Sequence, residues 1–276
     1  MKINKTQLII VLAIAVLTVI IYTLPITKNN SEEHSTDHAH TMSSGASFEE
    51  IEQAAKASFR PAQLTAVNDL AEKIKNDGNN LLLYDSLGMA WDALNQPGIA
   101  AHYFEIKAEK DNEERSYIDA AFRYFDAFKM AEDTLIRNQM VEKAIACYEK
   151  VIAINPKNLN AKTDLGVCYA EGTGTPMKGI LLLREVVTEN PNHENAQLNL
   201  GFLSLKSTQY DKAIERFNAV LKINPLRTET YIYLSQTYLQ IGDTLNAKVN
   251  LKAFITKTTD DVAKKEAENY LSKIGG

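Results

Sequence analysis

Histidine and cysteine are the residue types in this chain with the strongest potential for metal or redox chemistry. His34, His38 and His40 lie together in a polar stretch, and imidazole is a common ligand of transition metals. Three imidazoles on a segment with hardly an apolar side chain bind an ion only weakly, so we predict a solvated linker and no metal site. Cys147 and Cys168 are the only cysteines, and we interpret them as free, buried or half-buried thiols. A disulfide between them is the alternative if the domain lies outside the cytoplasm.

The chain shows no sequence motif of a known catalytic site. The segment GTGTPMKG (172–179) is rich in glycine, but Met177 and Ile180 stand where a dinucleotide fingerprint needs glycine and a phosphate loop needs lysine. We find no H-E-x-x-H, C-x-x-C or G-x-S-x-G pattern. His102 and His193 are both expected to be solvated. The sequence therefore predicts a protein that is not an enzyme and has no cofactor, with an enzyme of unrecognised site as a further alternative.

A sequence motif of sixteen residues occurs three times in the chain, and its pattern indicates the helices on which any functional side chain would lie. VEKAIACYEKVIAINP (141–156) recurs as YDKAIERFNAVLKINP (210–225), and a third version, PMKGILLLREVVTENP (176–191), lies between them. The copies begin 35 and 34 residues apart. Within each copy the apolar residues have helical spacing, and the final Asn-Pro stops the helix. A period of this length, with a second apolar helix after each stop, indicates stacked helical hairpins.

The pattern resembles the tetratricopeptide repeat (TPR) family, whose helices carry W-x2-L-G-x2-Y, then A-x3-F, then proline. The clearest early copy is YDSLGMAW (84–91) followed by AAHYF (100–104), and five copies follow one another in register. The resemblance implies an all-α protein that forms a right-handed superhelical solenoid of TPR helical hairpins. It also implies a concave face that is lined by the first helix of each repeat and serves binding.

These patterns divide the chain into an N-terminal membrane part and a helical part. The second repeat is about ten residues longer than the others, so we expect an extended helix pair that meets near Glu132 and Asp133. The predicted segments are a membrane anchor (1–26), a flexible polar tether (27–47), an N-terminal helical hairpin that is a degenerate repeat or cap (48–80), five TPR-like repeats within 81–261 (81–114, 115–158 extended, 159–193, 194–227 and 228–261) and a C-terminal capping helix (262–276).

The anchor is predicted from the uncharged run LIIVLAIAVLTVIIYTL (8–24), whose seventeen residues are near the lower limit for a transmembrane helix. Lys2 and Lys5 precede the run and acidic residues follow it, which favours a cytoplasmic N-terminus. We therefore predict one N-terminal transmembrane helix and a single-pass protein whose TPR domain is periplasmic or otherwise extracytoplasmic. A cleaved secretory signal is the alternative, although no small-x-small site follows the run.

A second apolar stripe on the first helices predicts a peptide-binding groove. On 194–206 the packing stripe uses Leu200 and Gly201, whereas Leu198, Phe202 and Leu205 lie on another side of the helix. The neighbouring repeats carry matching residues, with polar side chains between them as contacts for an extended or helical peptide. The alternative is that a tight superhelix buries this stripe. The predicted groove residues are Thr163, Val167, Ala170, Leu198, Asn199, Phe202, Leu205, Ile232, Tyr233, Gln236 and Leu239.

One known TPR activity is not implied by the resemblance. TPR proteins that clamp a C-terminal carboxylate carry Lys, Asn and Arg on this surface, whereas Thr163, Val167 and Leu198 hold the matching positions here.

A separate candidate surface lies in the long second repeat. Five aromatic residues crowd into twelve positions there, so some must be core, and an exposed remainder would form an interaction patch. They are Tyr117, Phe122, Tyr124, Phe125 and Phe128.

The charge of the chain narrows the choice of partner. The net charge is −5 and no run of five basic residues occurs, which argues against nucleic acid. We predict a non-catalytic, membrane-tethered TPR scaffold or adaptor that binds a protein or peptide partner in its concave groove. A more specific alternative is suggested by architecture alone, because TPR proteins of cytochrome c maturation also join a membrane segment to an extracytoplasmic TPR domain and present apocytochrome.

Overall fold

The computed structural model describes residues 47–274, which form thirteen α-helices, a short 3-10 turn at Pro61–Gln63, and no strand. The anchor predicted at 1–26 and nearly all of the tether predicted at 27–47 lie outside the described residues. The helices are α1 (Phe48–Ala57), α2 (Thr65–Asn76), α3 (Leu81–Ala93), α4 (Pro97–Asp111), α5 (Glu114–Met130), α6 (Thr134–Ile154), α7 (Leu159–Gly172), α8 (Pro176–Glu189), α9 (Glu194–Lys206), α10 (Tyr210–Ile223), α11 (Glu229–Gln240), α12 (Thr244–Lys257) and α13 (Asp261–Ile274).

Successive helices pack in pairs. The pairs are α3 with α4, α5 with α6, α7 with α8, α9 with α10 and α11 with α12, and each pair contacts the next through its neighbouring helices. At the two ends, α2 packs on α3, α1 contacts α4, and α13 packs on α12. This arrangement is an all-helical, TPR-like solenoid, which confirms the predicted fold class at that level. Between residues 47 and 274, no helix is long and apolar enough to cross a bilayer.

Three helices of the solenoid end at the Asn-Pro dipeptides that the repeated phrase contains. The backbone N–H groups of Asn155, Asn190 and Asn224 each donate to the carbonyl four residues earlier at 2.8 Å. Each asparagine side chain then accepts from the N–H two residues later, at 3.2, 3.0 and 3.1 Å respectively. Asparagine thus turns the chain with its own side chain while proline prevents the helix from continuing. The sequence signal and its physical cause coincide at all three sites.

Glycine allows the two helices of a pair to approach closely. A Cβ on Gly88 would lie 2.5 Å from the ring of Phe104, and one on Gly201 would lie 2.6 Å from the ring of Phe217. In the α7–α8 pair both helices contribute a glycine, and a Cβ on Gly179 would lie 2.1 Å from the carbonyl oxygen of Gly166. The alanine that the other copies have at this position would therefore not fit between these two backbones.

The α5–α6 pair is longer than the pairs that follow it. Helix α5 has 17 residues and α6 has 21, whereas α7 to α12 have 12 to 14 each. The turn lies at 131–133, where Asp133 accepts the N–H groups of Leu135 and Ile136 at 2.8 and 2.9 Å. Asp133 is thus the N-cap residue of α6, and it stabilises the start of the longest helix described.

The largest core cluster extends from α2 to α7 and contains both cysteines. Cys147 and Cys168 are buried and free, which confirms the prediction made from the sequence. Burial and the nearby Glu105 raise the pKa of the Cys147 thiol to about 12, and burial also raises the pKa of Cys168. Both sulfurs are therefore held as neutral thiols, which are poor nucleophiles.

The expectation that His102 and His193 are solvated is corrected by the structure. The ring of His102 stacks on Phe48 with 3.5 Å between ring centroids, because α1 contacts this side of α4. His193 caps α9: its Nδ1 accepts the N–H of Ala196 at 3.3 Å, and its Nε2 lies 3.1 Å from Oδ1 of Asn160. Both imidazoles are half-buried and have structural contacts.

Candidate functional site

The eleven residues predicted to line a groove lie on α7, α9 and α11, the first helices of three successive pairs. Three of them need correction, because Thr163, Ala170 and Leu198 are buried. Thr163 is 1% exposed, and its hydroxyl donates to the carbonyl of Leu159 at 2.8 Å, within its own helix. Ala170 lies against Gly179 of α8, where an added Cβ would be 2.9 Å from the Cβ of Ala170. Leu198 belongs to a core cluster with residues of α10 and α11, so these side chains are enclosed and cannot contact a partner.

The remaining eight are accessible to different degrees. Gln236 is exposed and the others are half-buried, so their assignment to a groove stays a prediction. The half-buried residues are Val167, Asn199, Phe202, Leu205, Ile232, Tyr233 and Leu239.

Phe202 lies in an aromatic cluster that joins three helices. Its ring centroid is 4.8 Å from that of Tyr233 on α11 and 5.5 Å from that of Phe217 on α10, both in edge-to-face geometry. Such pairs stabilise a core beyond their area of contact. Phe202 therefore contributes to packing, and only its outer part is available to a partner.

On α11, the predicted groove residue Ile232 lies beside the last helix, α13. Ile232 packs against the small core of Leu251, Phe254 and Ala267, the last of these from α13. Together with Gln236 it lines a cavity of about 270 Å³ between α11, α12 and α13. The C-terminal helix thus covers part of α11 beside Ile232 and Gln236.

A polar pocket of about 300 Å³ lies beside the groove, between α9 and the start of α11. Tyr233 lines it together with Glu194, Arg227 and Asn224. Arg227 Nη1 donates to Glu194 Oε1 at 2.6 Å, and Asn224 donates to the other oxygen at 3.1 Å. Burial acts to raise the pKa of Glu194, but these hydrogen bonds outweigh it and lower that pKa. The pocket therefore holds a bound ion pair, whose polar atoms border the apolar side chains.

Two strongly exposed apolar residues extend the surface toward the N-terminal repeats. Met89 on α3 is 59% exposed, and Phe122 on α5 is 56% exposed. Each directly follows a small residue that is buried, as do Val167, Phe202 and Gln236 on the later first helices. These five positions are 33, 45, 35 and 34 residues apart, so they recur once in each repeat. We call Met89, Phe122, Val167, Phe202 and Gln236 together the register column.

Sequence reasoning reached part of this column. The prediction of an exposed remainder among the crowded aromatic residues fits Phe122, since Tyr117, Tyr124 and Phe128 are buried and Phe125 is half-buried. Met89 was missed, although its place after Gly88 repeats the place of Phe202 after Gly201. Alignment of all first helices on the small residue would have found it.

The side chains of the register column are mainly apolar. Nowhere in residues 47–274 do three His, Cys, Asp or Glu side chains lie close enough to hold a metal ion. Four of the five column positions carry apolar side chains, and the two that are strongly exposed, Met89 and Phe122, are of the kind that bind protein segments.

Comparison with known proteins identifies relatives of the helical repeats. A family model described as tetratricopeptide repeat matches residues 130–158, which contain the turn and helix α6 of the long pair. The Hsp70-Hsp90 organizing protein of Triticum aestivum is 22% identical over 166 residues, which are 60% of this chain and 28% of that protein. The chain spans less than a third of the length of the curated relatives that it matches.

Two solved structures have the same fold. A tetratricopeptide repeat protein from Parabacteroides merdae ATCC 43184 superposes with a TM-score of 0.56 at 16% identity, covering 82% of this chain and 86% of that one. A thermophilic TPR protein of Thermus thermophilus gives 0.51 at 16% identity, covering 70% and 98%. The protein thus has the fold of a TPR-like helical solenoid. The match of the repeat model supports its assignment to the tetratricopeptide repeat family.

Proposed function

We propose that the protein is a non-catalytic scaffold that binds a protein or peptide segment along the register column. The observation that carries this proposal is the exposure of Met89 and Phe122 at equivalent places on successive first helices, with Val167 and Phe202 continuing the column. The first helices of a solenoid form an extended surface, and apolar anchors at regular spacing fit an extended or helical segment. The other predicted groove residues at the surface, Asn199 and Leu205 among them, would add contacts beside the column.

The comparisons support an interaction role without naming a partner. The wheat relative is, by its name, an organizing protein of Hsp70 and Hsp90, which is consistent with a scaffold. The partner of this chain is therefore proposed only as a protein or peptide.

We further propose that the scaffold is tethered to a membrane with its N-terminus in the cytoplasm and the helical part outside it. The support is the uncharged run at 8–24 and the lysines before it. A topology reporter fused after residue 30 should be active outside the cytoplasm. A reporter that is active only inside would reject this orientation.

Site-specific photo-cross-linking tests the binding surface. A benzophenone amino acid placed at Met89 or Phe122 should give discrete cross-linked species in cells that express the full chain. The matched control is the same probe at Leu245 on α12, a residue that is 74% exposed and outside the column. Equal cross-linking at all three positions, or none at Met89 and Phe122, would reject the column as the binding surface.

A further inference from the structure

A cavity of about 470 Å³ lies between α1, α4, α5 and α6, and no residue of the register column lines it. Met130, Ile136 and Met140 of the long pair form one wall, and α1 contributes Phe48 and Ile51. The cavity therefore depends on two features that a bare repeat lacks, the lengthened second pair and the helix before the first pair. Its volume lies within the range of about 300–1,000 Å³ that small-molecule sites have.

The charged groups at the cavity neutralise one another. Lys143 lines the cavity, but its Nζ donates to both oxygens of Glu105 at 3.1 and 3.0 Å. Tyr124 donates to the same carboxylate at 2.6 Å. An anion would compete with Glu105 for this lysine, and a cation would meet the ammonium group with no aspartate or glutamate among the described lining residues. The electrostatics of the wall therefore favour an uncharged ligand.

One polar atom of the wall lacks a partner. Gln139 lines the cavity, and its buried amide oxygen has no hydrogen-bond partner among the residues that the structure describes. Such an acceptor has lost its hydrogen bonds with water and gained none in return, so a ligand that donates to it removes a cost. The torsion before the amide is broad, so the oxygen can turn toward a donor inside the cavity. The ligand should therefore carry one hydrogen-bond donor.

The apolar part of the wall suits an aromatic ring. Met130 and Met140 both line the cavity, and thioether sulfurs make favourable contacts with aromatic rings. The ring of Phe48 stacks on that of His102, and both residues line the cavity, so aromatic surface already borders it. A flat apolar ring with a single polar hydrogen thus matches the wall in shape and in chemistry.

We propose that the cavity binds a small uncharged phenol with a short alkyl group. The phenol hydroxyl donates to Oε1 of Gln139, and the ring packs against Met130 and Met140 beside Phe48. This site is separate from the peptide surface proposed above, and it adds a small-molecule ligand to a protein-binding scaffold.

The test is calorimetric titration of the full-length protein with 4-propylphenol at pH 7, where a phenol is neutral. It should bind saturably with one site per chain, and its methyl ether should bind about tenfold more weakly because the ether has no donor. 4-Propylbenzoate and 4-propylbenzylamine, which are charged at this pH, should also bind about tenfold or more weakly. Absence of saturable phenol binding, or equal affinity for either charged compound, overturns the proposal.

Gln139→Leu tests the hydrogen bond, because it removes the acceptor and keeps a side chain of similar size. Phenol binding should fall to the level of the methyl ether, and binding of the ether should stay within about twofold of the wild type. The control Asn138→Leu changes the neighbouring exposed residue, which does not line the cavity, and should preserve the tenfold difference. A difference between phenol and ether that survives Gln139→Leu contradicts the assigned contact.

A second pair of variants tests the location of the ligand. Ile136→Trp places a larger ring in the cavity and should abolish binding, whereas Leu135→Trp changes the adjacent residue, which is 56% exposed and does not line the cavity. Circular dichroism shows whether each variant keeps its helices. Phenol binding that survives Ile136→Trp overturns the proposal, because the ligand then lies elsewhere in the chain.

Discussion

Tyr124 on α5 donates its hydroxyl hydrogen to Glu105 on α4 across 2.6 Å of the protein interior. Lys143 on α6 donates to both oxygens of the same carboxylate. The Glu105 carboxylate therefore connects three consecutive helices, α4, α5 and α6. A buried carboxylate without these partners would be strongly destabilising, so the connection constrains how the three helices pack.

This connection predicts a pH-dependent stability. Burial acts to raise the pKa of Glu105, but the contacts with His102, Tyr124 and Lys143 outweigh it and lower the pKa from 4.5 to about 2. The stabilisation is thus complete above 4.5 and is lost as the pH falls from 4.5 toward 2. Glu105→Gln should lower the free energy of unfolding at neutral pH by on the order of 3 kcal/mol, and the difference should shrink over that interval.

Urea denaturation across this pH interval measures the effect. Glu142→Gln is the control, because Glu142 is an exposed carboxylate on α6, and it should differ little from the wild type at any pH. A Glu105→Gln difference that stays constant down to the lowest pH would contradict the prediction.

Gly201→Ala should destabilise the α9–α10 pair. The added Cβ would lie 2.6 Å from the Phe217 ring, and this overpacking costs about 1–3 kcal/mol. Gly174→Ala is the matched change, since no atom lies within 4 Å of the Cβ position there. Thermal unfolding of both variants is the measurement, and equal melting temperatures would disprove the close approach.

Phe202 and Phe122 should respond differently to truncation. Phe202→Ala removes two edge-to-face contacts, those with Tyr233 and Phe217, and should lower the free energy of unfolding by about 2–4 kcal/mol. Phe122→Ala removes a ring that is mostly in solvent and should change it by less than about 0.5 kcal/mol. Chemical denaturation distinguishes them, and a large loss at Phe122 would show that this ring is part of the core.

The two thiols should be inert in the folded protein. Burial raises the pKa of Cys147 and of Cys168, so few thiolates exist at about pH 8. We expect alkylation by iodoacetamide to be slow in buffer and complete within minutes in denaturant, as followed by intact mass. Rapid modification of one residue in the folded state would show that its helix opens locally.

Much of the fold follows from short-range signals in the sequence. The Asn-Pro stops and the period of the repeated phrase predict the hairpins, because turn formation and helix amphipathicity depend on neighbouring residues only. The contact of α1 with α4 could not be predicted in this way. It depends on residues far apart in sequence, such as Phe48 and His102, and neither has a local pattern that indicates the other.

The candidate site also has some features that local sequence patterns predict and others that depend on contacts between distant residues. The register column can be found by aligning small residues such as Gly88 and Gly201, so Met89 was within reach of sequence reasoning. The burial of Thr163 and Leu198 was not, because a helical stripe shows which side chains share a face but not how closely the next helix approaches. The small polar residue at 163 even suggests exposure, whereas its hydroxyl is satisfied within the helix.

The paired glycines of α7 and α8 have a genetic consequence. In the α9–α10 pair, a larger residue at Gly201 could be accommodated by a smaller one at Phe217, so a second mutation can restore the first. A Cβ at Gly179 would instead meet the backbone carbonyl of Gly166, and trimming a side chain cannot remove that clash. Selection for suppressors of Gly179→Ala should therefore return reversions, and this junction should tolerate the least variation in the solenoid.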